Sequence, residues 1–196
     1  MGRIDRFDGD LKCDILDPLA RARPDLITVT SGRPLRLIGP FPLYLGNHRR
    51  LPLARRLEQA VKSVGWRTLV LQDSMPVATV DCGIGPTGRK FNTVRREAAA
   101  QALRRALEGM RRSVGRQFRG TAGHAIRVLD MPNLGVSAVW KSGHSTLFMP
   151  VSERGFPRTA TRILKLSAWR HQVVRHRARI ARQQVHPLLT TGRRMR

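Results

Sequence analysis

Acidic residues are scarce in this chain. Only 13 Asp and Glu stand against 37 Lys and Arg, which leaves a net charge of +24 and a pI near 11.9. So few carboxylates supply paired acid–base catalysis or two-metal nuclease chemistry poorly. Cysteine is scarce too. Cys13 and Cys82 lie in unrelated contexts and form no Cys-x-x-Cys, which excludes a disulfide framework and points to a reducing compartment. Aromatics make up 5 % of the chain, so stacking platforms for unpaired bases are few. No apolar run approaches the ~18 residues of a membrane span. The first residues carry acids and no apolar core of a secretory signal. The expectation is a cytoplasmic protein without a transmembrane segment.

What is present is apolar material and arginine. At 41 % hydrophobic over 196 residues, the chain has enough for a core. Its charge is unevenly placed. Residues 1–25 hold six Asp and five basic residues. After Glu153 there is no acid at all, while twelve Lys and Arg follow from Arg154 onward. A surplus this large repels itself in the folded state, so it points to a polyanionic partner.

The least charged long stretch is 124–151. Its β-branched and aromatic residues predict strands at 125–130, 136–141 and 145–150, with turns at Pro132-Asn133 and Ser142-Gly143. Upstream, 26–29 and 35–38 read as a hairpin, and 41–45, beside Pro40 and Pro42, as an edge strand. Leu53, Leu57, Ala60, Val61 and Val64 share one helical face between Pro52 and Gly65, which predicts a helix over 52–65. Strands follow at 66–72 and 77–82, the second placing Cys82 on the Val80 face. Residues 93–114 form an amphipathic helix. Ala99, Leu103, Ala106, Leu107, Met110 and Val114 line one side; Arg104, Arg105, Arg111 and Arg112 line the other. A last helix is predicted over 157–185. Its apolar sector contains Arg170 and Arg177, so either the helix leaves the core after Trp169 or these guanidinium groups find partners.

The expected fold class is α+β: an antiparallel, mostly meandering sheet with two packed helices and a long basic C-terminal helix. The expected divisions are an acidic N-terminal arm (1–25), an α+β core domain (26–156), the basic helix (157–185) and a disordered basic tail (186–196).

Gly83-Ile84-Gly85-Pro86-Thr87-Gly88 matches the glycine pattern of a phosphate-binding turn, with Arg89 and Lys90 beside it. The nucleotide-binding form needs a helix at the last glycine and a ribose-binding acid further on. Neither is visible. What remains is a generic phosphate contact. His124 and His144 flank the 124–151 block, but no third ligand or catalytic motif accompanies them, and no metal site or cofactor is expected. No zinc finger, ribonucleoprotein motif or zipper appears, so base-specific reading is unsupported.

The leading expectation is a non-enzymatic binder of nucleic-acid backbone, RNA rather than DNA, within a larger nucleoprotein assembly. Arg104, Arg105, Arg111, Arg112, Arg175, Arg179 and Arg182 would contact phosphates, joined by Arg89 and Lys90. Two other readings stand beside it. One is an interaction subunit docking on an acidic protein, or masked by its own acidic arm. The other is an enzyme built on the 83–88 loop or on His124 and His144.

Overall fold

Two antiparallel meanders of four strands each lie side by side in one eight-stranded sheet. The structure is a computed structural model that describes residues 15, 18–24, 35–84, 90–114, 126–141, 146–151 and 162–191. The first meander is β1 (Leu35–Gly46), β2 (Val61–Gln72), β3 (Met75–Ile84) and β4 (Lys90–Arg95). Helix α1 (Glu97–Val114) then crosses to the second, β5 (Ile126–Met131), β6 (Val136–Lys141), β7 (Leu147–Val151) and β8 (Leu164–Lys165). Helix α2 (Leu166–Thr191) follows. The strand order is β4-β3-β2-β1-β5-β6-β7-β8, and the parallel pairing of β1 with β5 joins the two halves. The α+β class and the meandering sheet are as the sequence predicts.

Both faces of the sheet are covered. On one, Ala100, Leu103, Ala106 and Met110 of α1 pack on Leu43, Leu69, Leu71, Val128, Val139 and Met149. On the other, Trp169 and Val173 of α2 join Leu51, Leu57, Leu129, Ala138, Trp140 and Phe148. The Phe148 and Trp169 rings stack at 5.2 Å, and Tyr44 and Trp140 meet at 4.9 Å. Ile15 and Leu19 are fully buried against Val70, Ala78, Val80 and Cys82. Part of the expected arm is therefore core, and Cys82 does share the Val80 face.

Two glycines let β2 and β3 cross closely. A Cβ on Gly65 would sit 2.1 Å from the Cys82 carbonyl oxygen, and one on Gly83 would sit 2.0 Å from that of Val64. Asp73 and Ser74, both at positive φ, close the β2–β3 hairpin in the left-handed conformation that matches strand twist.

Several expected elements differ. No helix covers 52–65. A short 3₁₀ turn at Leu57–Ala60 leads straight into β2, and the periodic Leu53 is 85 % exposed while Leu57 is buried. Alternation from Val61 onward belongs to a strand; a few apolar residues fit either period. Strand β1 is central, not an edge. Pro40 and Pro42 precede the three residues that pair with β5, so neither removes a donor from that ladder. Helix α1 starts at Glu97, not Thr93, because Lys90–Arg95 pair with β3. Helix α2 starts at Leu166, not 157, because Leu164 and Lys165 pair with β7. It continues to Thr191, past Pro187, into what was expected to be a disordered tail; one missing donor does not end it. The hairpin strand at 26–29 lies outside the described residues.

The close crossing gives a test. Gly83→Ala should cost at least ~3 kcal/mol, because the clash is with backbone. Gly135→Ala, at φ 61 with nothing within 4 Å, should cost only ~1 kcal/mol. Urea denaturation of both variants checks the order; equal costs would contradict the crossing.

Candidate functional site

Within the α1 face, charged side chains from four strands converge. Arg67 of β2 is 2 % exposed. Its Nε donates to Asp81 Oδ1 at 2.5 Å and its Nη2 to Asp81 Oδ2 at 2.7 Å. The same Nη2 reaches Asp130 Oδ2 on β5 at 3.1 Å. Arg95, at the end of β4, donates from Nε to Asp81 at 3.1 Å and from Nη2 to Asp130 at 2.6 Å. The Ser137 hydroxyl of β6 donates to Asp130 Oδ1. All four carboxylate oxygens therefore accept, and the group is neutral: two guanidinium groups against two carboxylates.

This contact shapes the sheet. Strands β4 and β5 are four positions apart in the order, about 19 Å if the sheet were flat. That is farther than Arg95 and Asp130 side chains reach together. The sheet is curled into a trough with the network inside it. Register shifts in the β1–β2 ladder at Ile38/Phe41 and Leu43/Tyr44, and in the β2–β3 ladder at Val70/Leu71, supply the bending. Helix α1 touches β2 and β3 on one side of the trough and β6 and β7 on the other.

Burial alone would lower the Arg67 guanidinium; hydrogen bonding and charge from Asp81, with the charge of Asp130, outweigh it and raise it further. Burial alone would raise the Asp130 carboxyl. The Arg67 and Arg95 charges and the Ser137 hydrogen bond outweigh that and hold it below the ordinary carboxylate range. The network is saturated, every carboxylate oxygen accepting a hydrogen bond, which suits it to holding structure. Its sequence signal is a single charge inside each apolar run: Arg67 within β2, Asp81 between Val80 and Cys82, Asp130 between Leu129 and Met131.

The expected phosphate contacts divide between the two faces. On α1, Arg105, Arg111 and Arg112 are exposed, whereas Arg104 is pinned by Glu108 at 2.8 Å and by the Ser74 carbonyl. On α2, across the sheet, Arg175, Arg179 and Arg182 are exposed. Lys90 is exposed at the start of β4, and Arg89, His124 and His144 lie outside the described residues. The glycine loop joins β3 to the antiparallel strand β4, so the strand-to-helix setting of a phosphate turn is not there.

The segment between β1 and β2 adds cations that stand outside the expected phosphate contacts, though their pairing at 49–50 and 55–56 is visible in the sequence. Residues 47–60 fold back over the α2 face, closed by the Asn47 amide donating to the Ala60 carbonyl at 2.8 Å. The Asn47 side-chain oxygen accepts from the amides of Arg49 and Arg50 at 2.9 and 3.1 Å. Arg170 of α2 donates to the carbonyls of Ala54 and Arg55, which is the partner its place in the apolar sector required. His176 meets the Leu134 carbonyl at 3.0 Å. The turn carries exposed Arg49, Arg50, Arg55 and Arg56, and α2 carries exposed Arg175, Arg177, Arg179 and Arg182, on the same side of the sheet. His48 records the closeness: partial burial, then the charges of Arg177 and Arg49, push its imidazole below the ordinary value. Residues 47–60 and 162–191 together hold eleven Arg and Lys and one acid, Glu58.

No group of three or more His, Cys, Asp or Glu side chains among the described residues is placed to hold a metal ion. Among them, no helix is long and apolar enough to cross a membrane. Comparison with protein-family models, curated proteins and solved structures found no match to this chain.

The pH dependence of the network follows from the direction of the Asp130 shift. A carboxyl depressed in the folded state contributes its full stability above the unfolded value of about 3.9, and loses it as pH falls through the folded value. Asp130→Asn leaves guanidinium groups under-compensated and should cost ~3 kcal/mol or more at pH 7. The gap to wild type should narrow on acidification below about pH 4. Urea midpoints at pH 7 and pH 3 measure it; an unchanged gap would show that the Asp130 charge does not stabilise the fold.

Proposed function

We propose that this protein binds the sugar-phosphate backbone of nucleic acid through the surface formed by α2 and the 47–56 turn. The observation that carries the proposal is the gathering of eight exposed arginines on one side of the sheet, in segments with a single acid. Arginine matches phosphate bidentately and stays charged at any working pH. Solvated helices normally intersperse both signs. Here the carboxylates that would neutralise the surface are few, and Asp81 and Asp130 are buried in their own network.

The aromatic residues favour contact with backbone over contact with bases. Trp140, Phe148 and Trp169 are fully buried, and Tyr44 packs on Trp140. Trp66 is the one exposed aromatic among the side chains whose burial is described. Stacking on unpaired bases is therefore poorly supplied on this surface. The exposed arginines of α1 lie on the opposite face and cannot share one ligand footprint through the sheet.

Binding should weaken steeply with salt, because each neutralised phosphate releases counterion. On duplex DNA, Arg175→Ala with Arg179→Ala should lower the slope of log K against log salt by about 2, whereas Arg111→Ala with Arg112→Ala should leave it unchanged. Fluorescence anisotropy across a salt series reads both. A flat salt dependence, or no binding at low salt, would overturn the proposal.

A further inference from the structure

The turn before β2 carries one feature that charge does not explain. Leu53 is 85 % exposed, more than any other large hydrophobic side chain whose burial is described. It is not loosely held. The Leu53 amide donates to the Arg50 carbonyl at 3.0 Å, and that of Ala54 donates to the same oxygen at 3.0 Å. The Leu51 amide donates to Asn47 at 2.9 Å, and Arg170 clamps the Ala54 carbonyl from α2. Leu51 and Leu57, on either side, are each 1 % exposed. The chain buries two leucines as anchors and holds Pro52 and Leu53 out in water between Arg49-Arg50 and Arg55-Arg56.

We propose that Pro52 and Leu53 form a wedge that enters the minor groove of duplex DNA and unstacks a base step, while the flanking arginines hold the phosphates on either side. The inference rests on the proposed backbone binding and names its ligand and its consequence. Minor-groove proteins that bend DNA use this combination: an apolar tip, short enough to enter, flanked by cations. The hydrogen-bonded turn means that little ordering is needed on binding. Duplex RNA does not fit as well, since its minor groove is wide and shallow. An anionic bilayer fits less well. A helix lying in a membrane surface turns its apolar stripe outward, whereas Trp169, Val173 and Ile180 of α2 face the sheet. One turn alone would then carry the insertion.

The test uses the full chain and a duplex DNA of about 30 base pairs with a donor and an acceptor dye at its ends; free duplex of that length is stiff. A second duplex carries 2-aminopurine at a central step. Wild type should raise both the energy transfer and the 2-aminopurine emission at saturation. Leu53→Ala, at an exposed position, should fold normally and bind within about tenfold of wild type, because phosphate contacts carry most of the affinity. It should lose most of the bend and the emission. Arg55→Ala with Arg56→Ala should show the converse: weaker binding, with the bend retained at saturation. No duplex binding by wild type at low salt would overturn the backbone reading itself. Binding without bending, or a bend that Leu53→Ala leaves intact, would overturn the wedge alone. Equal bending of an RNA duplex would also overturn it. So would phosphatidylserine vesicles captured in a Leu53-dependent way that outcompetes the DNA.

Discussion

The structure depends on Asp130 being reached by two arginines from the far side of the sheet. Arg67 comes from two strand positions away and Arg95 from four. The Arg95 contact does not exist unless the sheet is curled, and the curl gives α1 a trough to lie across. A buried ion network is weak evidence for net stability, since desolvation offsets much of the attraction. Its stronger effect is on alternatives. Any slip of β4 or β5 by one residue would turn Arg95 or Asp130 to the other face and strand an unpaired charge. The network thereby fixes the register of four strands, and Arg95 fixes the entry to α1 two residues before that helix begins.

The second half repeats the plan of the first: four antiparallel strands followed by a helix. The two helices nonetheless cover opposite faces. Helix α1 brings small residues, Ala100, Ala102 and Ala106, which suit a confined trough. Between Trp169 and Arg182, helix α2 brings Trp169 over Phe148 and turns Val173, His176 and Ile180 toward the sheet, with Arg175, Arg177, Arg179 and Arg182 exposed. The sequence contains no repeat that would announce this plan, because the two helices answer to different surroundings.

Strands β3, β5, β6 and β7 lie within two residues of their expected places, and β2 over its second half, its first five residues having been read as helix. Helix α1, whose apolar face is long, was legible in the sequence. The helix expected over 52–65 was not there, because Leu53 fits the helical period by spacing alone and the structure leaves it in solvent. Which arginines lie on one side of the sheet was also not legible. Arg170 and Arg55 are far apart in sequence, yet Arg170 donates to the Arg55 carbonyl. Arg111 and Arg175 look equivalent in composition and lie on opposite faces. Topology, which local periodicity does not encode, decides both.

The scarcity of carboxylates now takes a more specific form. Of the acids in the described residues, Asp81 and Asp130 are buried with arginines of their own, and Glu108 is paired with Arg104. The buried network is neutral, so the whole net charge of +24 lies outside it. Selection for a basic protein by composition alone would spread arginine over every surface. Instead, Arg67 and Arg95 hold the core, Arg104 and Arg170 hold loops to helices by their carbonyls, and Arg127 lies 5.0 Å from the centre of the Trp140 ring. Others are exposed on α1, on α2 and on the 47–56 turn. Arg49, Arg50, Arg55 and Arg56, exposed on either side of a leucine that the fold leaves in solvent, make that turn the place to look for a partner.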